Sequence, residues 1–124
     1  MLPKIYFDSL TGNVRRFVER LPFEAVCISE APTVDSPFIF VTYTTGFGNV
    51  PPASVEFLLK YGDYLVGVAS SGNRNWGENF GKAANHISDA FDVPILLKFE
   101  LSGTNNDIKI LTEKVAILWQ NGRN

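Results

Sequence analysis

The sequence predicts an α/β domain built on a five-stranded parallel sheet, strand order 2-1-3-4-5, with helices on both faces. Five short apolar runs alternate with stretches of helical periodicity, the pattern of crossover-connected parallel strands. The runs are continuous rather than alternating in polarity, as strands buried on both faces are. The 124 residues, 45% hydrophobic and 19% charged, suit a single domain spanning residues 1–124.

Ile5, Tyr6 and Phe7 carry the first strand, residues 4–8, and the turn-prone Asp8-Ser9-Leu10-Thr11-Gly12-Asn13 leaves it. Val14, Phe17, Val18 and Leu21 recur at i, i+3, i+4 and i+7, the stripe of a helix with one buried face, which Pro22 ends. Residues 25–28 read as the second strand. Ser36-Pro37 precedes the β-branched and aromatic run 38–41, the third. Pro51 and Pro52 suit the first turn of a helix, with Val55, Leu58 and Leu59 as its apolar stripe and Gly62 as its end. Residues 64–69 form the fourth strand, and Phe80, Ala83, Ala84, Ile87 and Phe91 mark the third helix. After a fifth strand at 94–101, Thr104 and Asp107 have capping-box spacing before Ile108, Leu111, Val115 and Leu118. The polar tail Asn121-Gly122-Arg123-Asn124 is expected to fray. Such a chain winds as a flavodoxin-like domain, whose ligand lies beyond the carboxyl ends of the strands.

Asp plus Glu number 13 and Lys plus Arg 11, a formal charge of −2, too balanced to grip a nucleic-acid backbone. No stretch approaches the ~20 apolar residues of a membrane span, so a cytoplasmic protein with neither nucleic acid nor membrane as partner is expected. The lone Cys27 forms no intramolecular disulfide, and with the lone His86 it leaves too few side-chain ligands for a zinc or haem site. No metal and no catalytic side chain is expected. Such a chain either binds something or borrows its chemistry from a cofactor.

The loops after strands one, three and four hold nearly all the unusual polar and glycine residues, and in this topology they open on one edge of the sheet. Ser9-Leu10-Thr11-Gly12-Asn13 places two hydroxyls and an amide before a helix, where a phosphate fits, although the same residues serve as turn and cap formers. The loop has no Lys, no nucleoside-triphosphate loop motif occurs, and Gly46-x-Gly48-x-x-Pro51 lacks the third glycine of a dinucleotide site. In the second loop Gly46 and Gly48 flank Phe47; in the third, Trp76 stands between Asn75 and Gly77. Aromatics among glycines either cover a planar ligand or fold back on the core. A phosphate-accepting receiver domain, which shares this topology, needs clustered carboxylates after strand one; here Asp8 stands alone and strand three runs into Thr42-Tyr43. Lys98 reads as a solvated or loop-facing side chain, His86 lies on the polar side of its helix, and Cys27 is a small core residue.

Ser9-Leu10-Thr11-Gly12-Asn13, Thr42-Tyr43-Thr44-Thr45-Gly46-Phe47-Gly48-Asn49-Val50-Pro51, Ser70-Ser71-Gly72-Asn73-Arg74-Asn75-Trp76-Gly77 and Lys98-Phe99-Glu100-Leu101-Ser102-Gly103-Thr104 together resemble the NrdI family, small flavodoxin-like flavoproteins that accompany class Ib ribonucleotide reductase. The resemblance spans essentially the whole chain. It implies a non-covalent FMN whose phosphate is held by Ser9, Leu10, Thr11, Gly12, Asn13 and Val14. It places the ring between the loop of Thr42, Tyr43, Thr44, Thr45, Gly46, Phe47 and Gly48 and that of Ser70, Ser71, Gly72, Asn73, Asn75, Trp76 and Gly77. The peptides around Gly46 would lie near the flavin N5 edge and tune it.

The resemblance further implies that the reduced flavin converts dioxygen to superoxide or a related oxidant, delivered to the reductase small subunit NrdF to assemble its dimanganese-tyrosyl radical cofactor. An unidentified flavin- or thiol-dependent reductase would supply the electrons. A general flavodoxin-type electron carrier and a ligand-free interaction domain are the competing readings. Ordinary flavodoxins are strongly acidic, which the −2 charge here is not. Arg74 either braces its loop or docks a partner.

Overall fold

A computed structural model describes residues 3–122, with side chains through residue 120. Its elements are β1 (Lys4–Phe7), α1 (Asn13–Val18), β2 (Glu24–Cys27), β3 (Phe38–Tyr43), α2 (Pro52–Tyr61), β4 (Leu65–Gly72), α3 (Lys82–Phe91), β5 (Ile95–Glu100) and α4 (Asn105–Gly122). The five strands form one parallel sheet in the order β2-β1-β3-β4-β5, as the alternation of apolar runs and helices predicts. Lys4 to Phe7 pair in register with Glu24 to Cys27 on one side and with Phe38 to Val41 on the other.

Two apolar layers sandwich the sheet. Ile5, Phe7, Ile39, Val41 and Phe99 pack against Phe17 of α1 and Leu111 and Val115 of α4. Tyr6, Phe40 and Val68 pack on the other face against Phe57 and Leu58 of α2 and Ala84 and Ile87 of α3. The Phe17 and Phe99 rings stack at 3.8 Å between centroids.

The ends of β1, β2 and β5 differ from the sequence expectation by one residue, and larger differences occur at β3, β4 and the buried face of α2. β3 runs on through Thr42 and Tyr43, and β4 through Ser70, Ser71 and Gly72, because their buried hydroxyls find partners inside. Thr42 Oγ1 lies 2.8 Å from Ser54 Oγ, and Ser70 Oγ donates to the Gly81 carbonyl at 2.7 Å. Tyr64 falls in a 3-10 turn, Gly62–Tyr64, ahead of β4. The buried face of α2 is Ser54, Phe57 and Leu58 with Tyr61 packed beside them, and Leu59 is 77% exposed. The helix cannot bury both stripes. The aromatic one, with Phe57 stacked on Phe40 and anchored by Ser54, prevails over Val55 and Leu59.

The capping box of α4 forms as spaced: Asp107 N donates to Thr104 Oγ1 at 3.1 Å and Thr104 N to Asp107 Oδ2 at 2.8 Å. The helix continues through Asn121 and Gly122, where fraying is expected from composition; Arg123 and Asn124 lie outside the described residues. Cys27 is buried in β2, and His86 is exposed on α3.

Candidate functional site

The carboxyl ends of β1, β3, β4 and β5 open into a groove of about 260 Å³, walled by Ser9, Leu10, Thr11, Asn13, Val14, Tyr43, Thr44, Thr45, Gly46, Ser71, Gly72, Asn73, Trp76 and Leu101. Each wall is fixed by bonds its own sequence supplies. Ser9 Oγ accepts from Arg15 N at 3.2 Å, tying the first loop to α1. The second loop is a tight hairpin, with Thr45 N donating to Asn49 O at 3.0 Å and Asn49 N to Thr45 O at 2.7 Å. Gly46 takes φ +56° at its turn, a left-handed conformation that costs a glycine little.

The third loop continues from β4 into a 3-10 segment, Arg74–Asn79, opened by Asn73, whose side-chain oxygen accepts from Asn75 N at 2.9 Å. Glu100 at the end of β5 holds this segment down: its Oε2 accepts from Arg74 N at 3.1 Å and its Oε1 lies 3.9 Å from Arg74 Nε. With its guanidinium also 4.6 Å from the Phe80 ring centroid, Arg74 is a brace for the loop.

Leu101 makes a fourth wall, which the sequence reading assigns to no ligand. It is left-handed at φ +53°, uncommon for a leucine, and is held there by its N–H on Gly72 O at 3.1 Å and by Ser71 Oγ on its carbonyl at 2.7 Å. Composition carries no signal for such a residue. The one trace is its place in the Phe99-Glu100-Leu101-Ser102-Gly103-Thr104 run, which the resemblance quotes without a ligand role.

Of the residues expected to hold a ligand, Gly12, Thr42, Phe47, Gly48, Ser70, Asn75 and Gly77 do not line the groove. Thr42 and Ser70 are inside the sheet with their hydroxyls bonded there. Gly48 is buried against the Lys82 stem, and Asn75 and Gly77 are exposed on the outer arc of the 3-10 segment. Phe47 stands 90% exposed at the hairpin tip, whereas Trp76, 43% exposed, turns into the groove wall.

Among the described residues no carboxylate lines the groove. Of the two acids adjacent in sequence to wall residues, Glu100 is engaged with Arg74, and Asp8 lines a second cavity of about 340 Å³ against α2. Burial raises its carboxyl above the ordinary range, against the lowering effect of the bonds from Ser54 Oγ and the Ser9 backbone. Burial, with the Asp8 charge behind it, also raises the Tyr43 hydroxyl, so Tyr43 stays a neutral group in the wall. The second cavity has no glycine in its lining and is not where the polar loops converge. No group of three His, Cys, Asp or Glu side chains is arranged for a metal among the described residues.

A groove that combines the hydroxyls and amide of Ser9, Thr11 and Asn13 with Trp76, Leu101 and glycine backbone accepts a flat apolar ring that ends in an anion. A doubly wound sheet with that groove at its carboxyl edge defines a flavodoxin-like protein. Solved structures agree on the fold. A short-chain flavodoxin associated with a non-canonical PDU bacterial microcompartment superposes with TM-score 0.75 at 21% identity, over 98% of this chain and 99% of that one. The Fusobacterium nucleatum flavodoxin bound to flavin mononucleotide does so with TM-score 0.64 at 14% identity, over 97% and 98%. The sequence profile described as NrdI Flavodoxin like matches residues 5–113. Protein NrdI of Bacillus licheniformis is 52% identical over 113 residues, 90% of this chain and 86% of that protein. The chain belongs to the NrdI flavodoxin-like family.

Proposed function

We propose that this chain binds FMN in the groove and works with a class Ib ribonucleotide reductase in the cytoplasm. In its reduced form it converts dioxygen to superoxide or a related oxidant for the small subunit NrdF, whose dimanganese-tyrosyl radical cofactor is thereby assembled. The observation that carries the reading is the groove itself. Its walls are the same loops on which the family resemblance rests, and none of them presents a carboxylate among the described residues. When reduced, FMN supplies single electrons, one of which turns dioxygen into superoxide.

The chain's own residues do the rest. The loop of Ser9, Thr11 and Asn13 takes the phosphate, Trp76 covers one face of the ring, and the hairpin at Gly46 offers backbone to its edge. With no carboxylate in the wall among the described residues, a ring that becomes anionic on reduction is less costly to hold. The open groove leaves the ring edge accessible to dioxygen and to a docked partner.

Reconstitution tests this directly. The reduced protein, dioxygen and Mn(II)-loaded NrdF are mixed and the tyrosyl radical is followed by electron paramagnetic resonance. A radical that forms only when this chain is present is the expected result. A signal no larger than in its absence overturns the activating role. Purification without bound flavin, and no uptake of added FMN, overturns the cofactor.

A further inference from the structure

Asn13 opens α1 and lines the groove, and its side-chain oxygen is already engaged. Arg16 Nη2 donates to Asn13 Oδ1 at 2.7 Å, and Ser102 Oγ donates to the same oxygen at 2.8 Å. Arg16 Nε also donates to Ser102 Oγ at 3.2 Å, so three side chains, two from α1 and one from the loop after β5, close a ring. A guanidinium only donates, so the Asn13 atom it meets is the oxygen, and that oxygen has two lone pairs, both now in use. What Asn13 has left is the Nδ2 amide, a donor and nothing else.

Arg16 comes to this ring without a carboxylate, since the ion pairs among the described residues are Lys4–Glu24 and Arg74–Glu100. Its head lies against Gly12, where a Cβ would meet Nη1 at 2.7 Å. One turn on, Arg20 Nη1 donates to the Ser102 and Gly103 carbonyls at 2.9 and 3.3 Å. Ser102 is therefore held by its backbone as well as by its hydroxyl.

We propose that Arg16 and Ser102 are positioning residues that lock Asn13 as a donor toward the groove, so that the site selects a ligand ending in a phosphate monoester over one ending in a hydroxyl. The inference rests on the flavin reading for the ring, not for the anionic end. Terminal phosphate oxygens only accept, so they suit a fixed donor; a hydroxyl is served equally well by an amide free to flip. The uncompensated charge of Arg16 favours the dianion at a distance.

FMN and riboflavin carry the same ring with and without the phosphate, and titrating the ligand-free chain with each separates clamp from scaffold. Arg16→Met is expected to weaken FMN binding about tenfold and to leave riboflavin within about twofold, with Ser102→Ala shifting FMN the same way by less. Asn13→Asp keeps an oxygen for Arg16 and Ser102 but turns a second oxygen to the groove; it should weaken FMN about a hundredfold, and more than it weakens riboflavin. Equal losses for both flavins in Arg16→Met and Ser102→Ala, or no loss in either, overturn the proposal. If the unaltered chain binds neither flavin, the flavin reading falls and inorganic phosphate decides the clamp. Thermal stabilisation by phosphate that is lost in Arg16→Met and Asn13→Asp supports the clamp, and no stabilisation of the unaltered chain overturns it.

Discussion

Trp76 and Phe47 look alike in the sequence, each a large aromatic in a glycine-containing loop, yet only Trp76 turns into the groove. The difference comes from what anchors each loop. Glu100 pins the start of the Trp76 segment, whereas the four-residue turn around Phe47 is closed by its own backbone and leaves the tip to solvent. Trp76→Ala should therefore weaken FMN binding by about 1–3 kcal/mol, by analogy with aromatic stacking on bases. Phe47→Ala should leave it unchanged. Flavin fluorescence titration of both variants decides the matter, and equal effects would return Phe47 to the ligand site.

At the scale of the elements, α2 is moored to the sheet by a polar chain in which Thr42 donates to Ser54 and Ser54 to Asp8. Because burial raises the Asp8 carboxyl, its contribution to stability is fully present below the ordinary carboxyl value of 3.8 that the unfolded chain has, and is lost as pH rises through the higher folded value. Asp8→Asn keeps an acceptor for Ser54 and does not ionise. Its melting temperature relative to the unaltered chain should climb from about pH 3 to pH 7; a difference that stays flat would mean that the folded carboxyl is not raised. The sheet order, the helices and the three polar loops were legible from apolar runs and glycine spacing, since those follow from local periodicity. The strand ends at Thr42 and Ser70, and the α2 stripe, were not. Whether a hydroxyl ends a strand or is buried in it depends on a partner far along the chain, Ser54 for one and Gly81 for the other. The wall at Leu101 was hidden for the same reason, since its left-handed backbone is imposed by Ser71 and Gly72.

The whole molecule is held by two apolar layers, and the layer under α1 and α4 also supports the site. Phe17 and Phe99 are fully buried and stacked, and a Cβ on Gly103 would strike the Phe17 ring at 2.6 Å, so the loop after β5 sits directly on that pair. Phe17→Ala should cost about 3–5 kcal/mol in urea unfolding, the range for emptying a buried aromatic site. A loss under about 1 kcal/mol would show that the core closes over the gap. The bond from Ser102 to Asn13 joins residues 89 apart in sequence, so the groove has no complete wall until β5 and the loop after it have been made. A chain cut before Leu101 would therefore keep the first three loops yet lack the wall that completes the groove, so truncation there should abolish flavin uptake rather than merely weaken it.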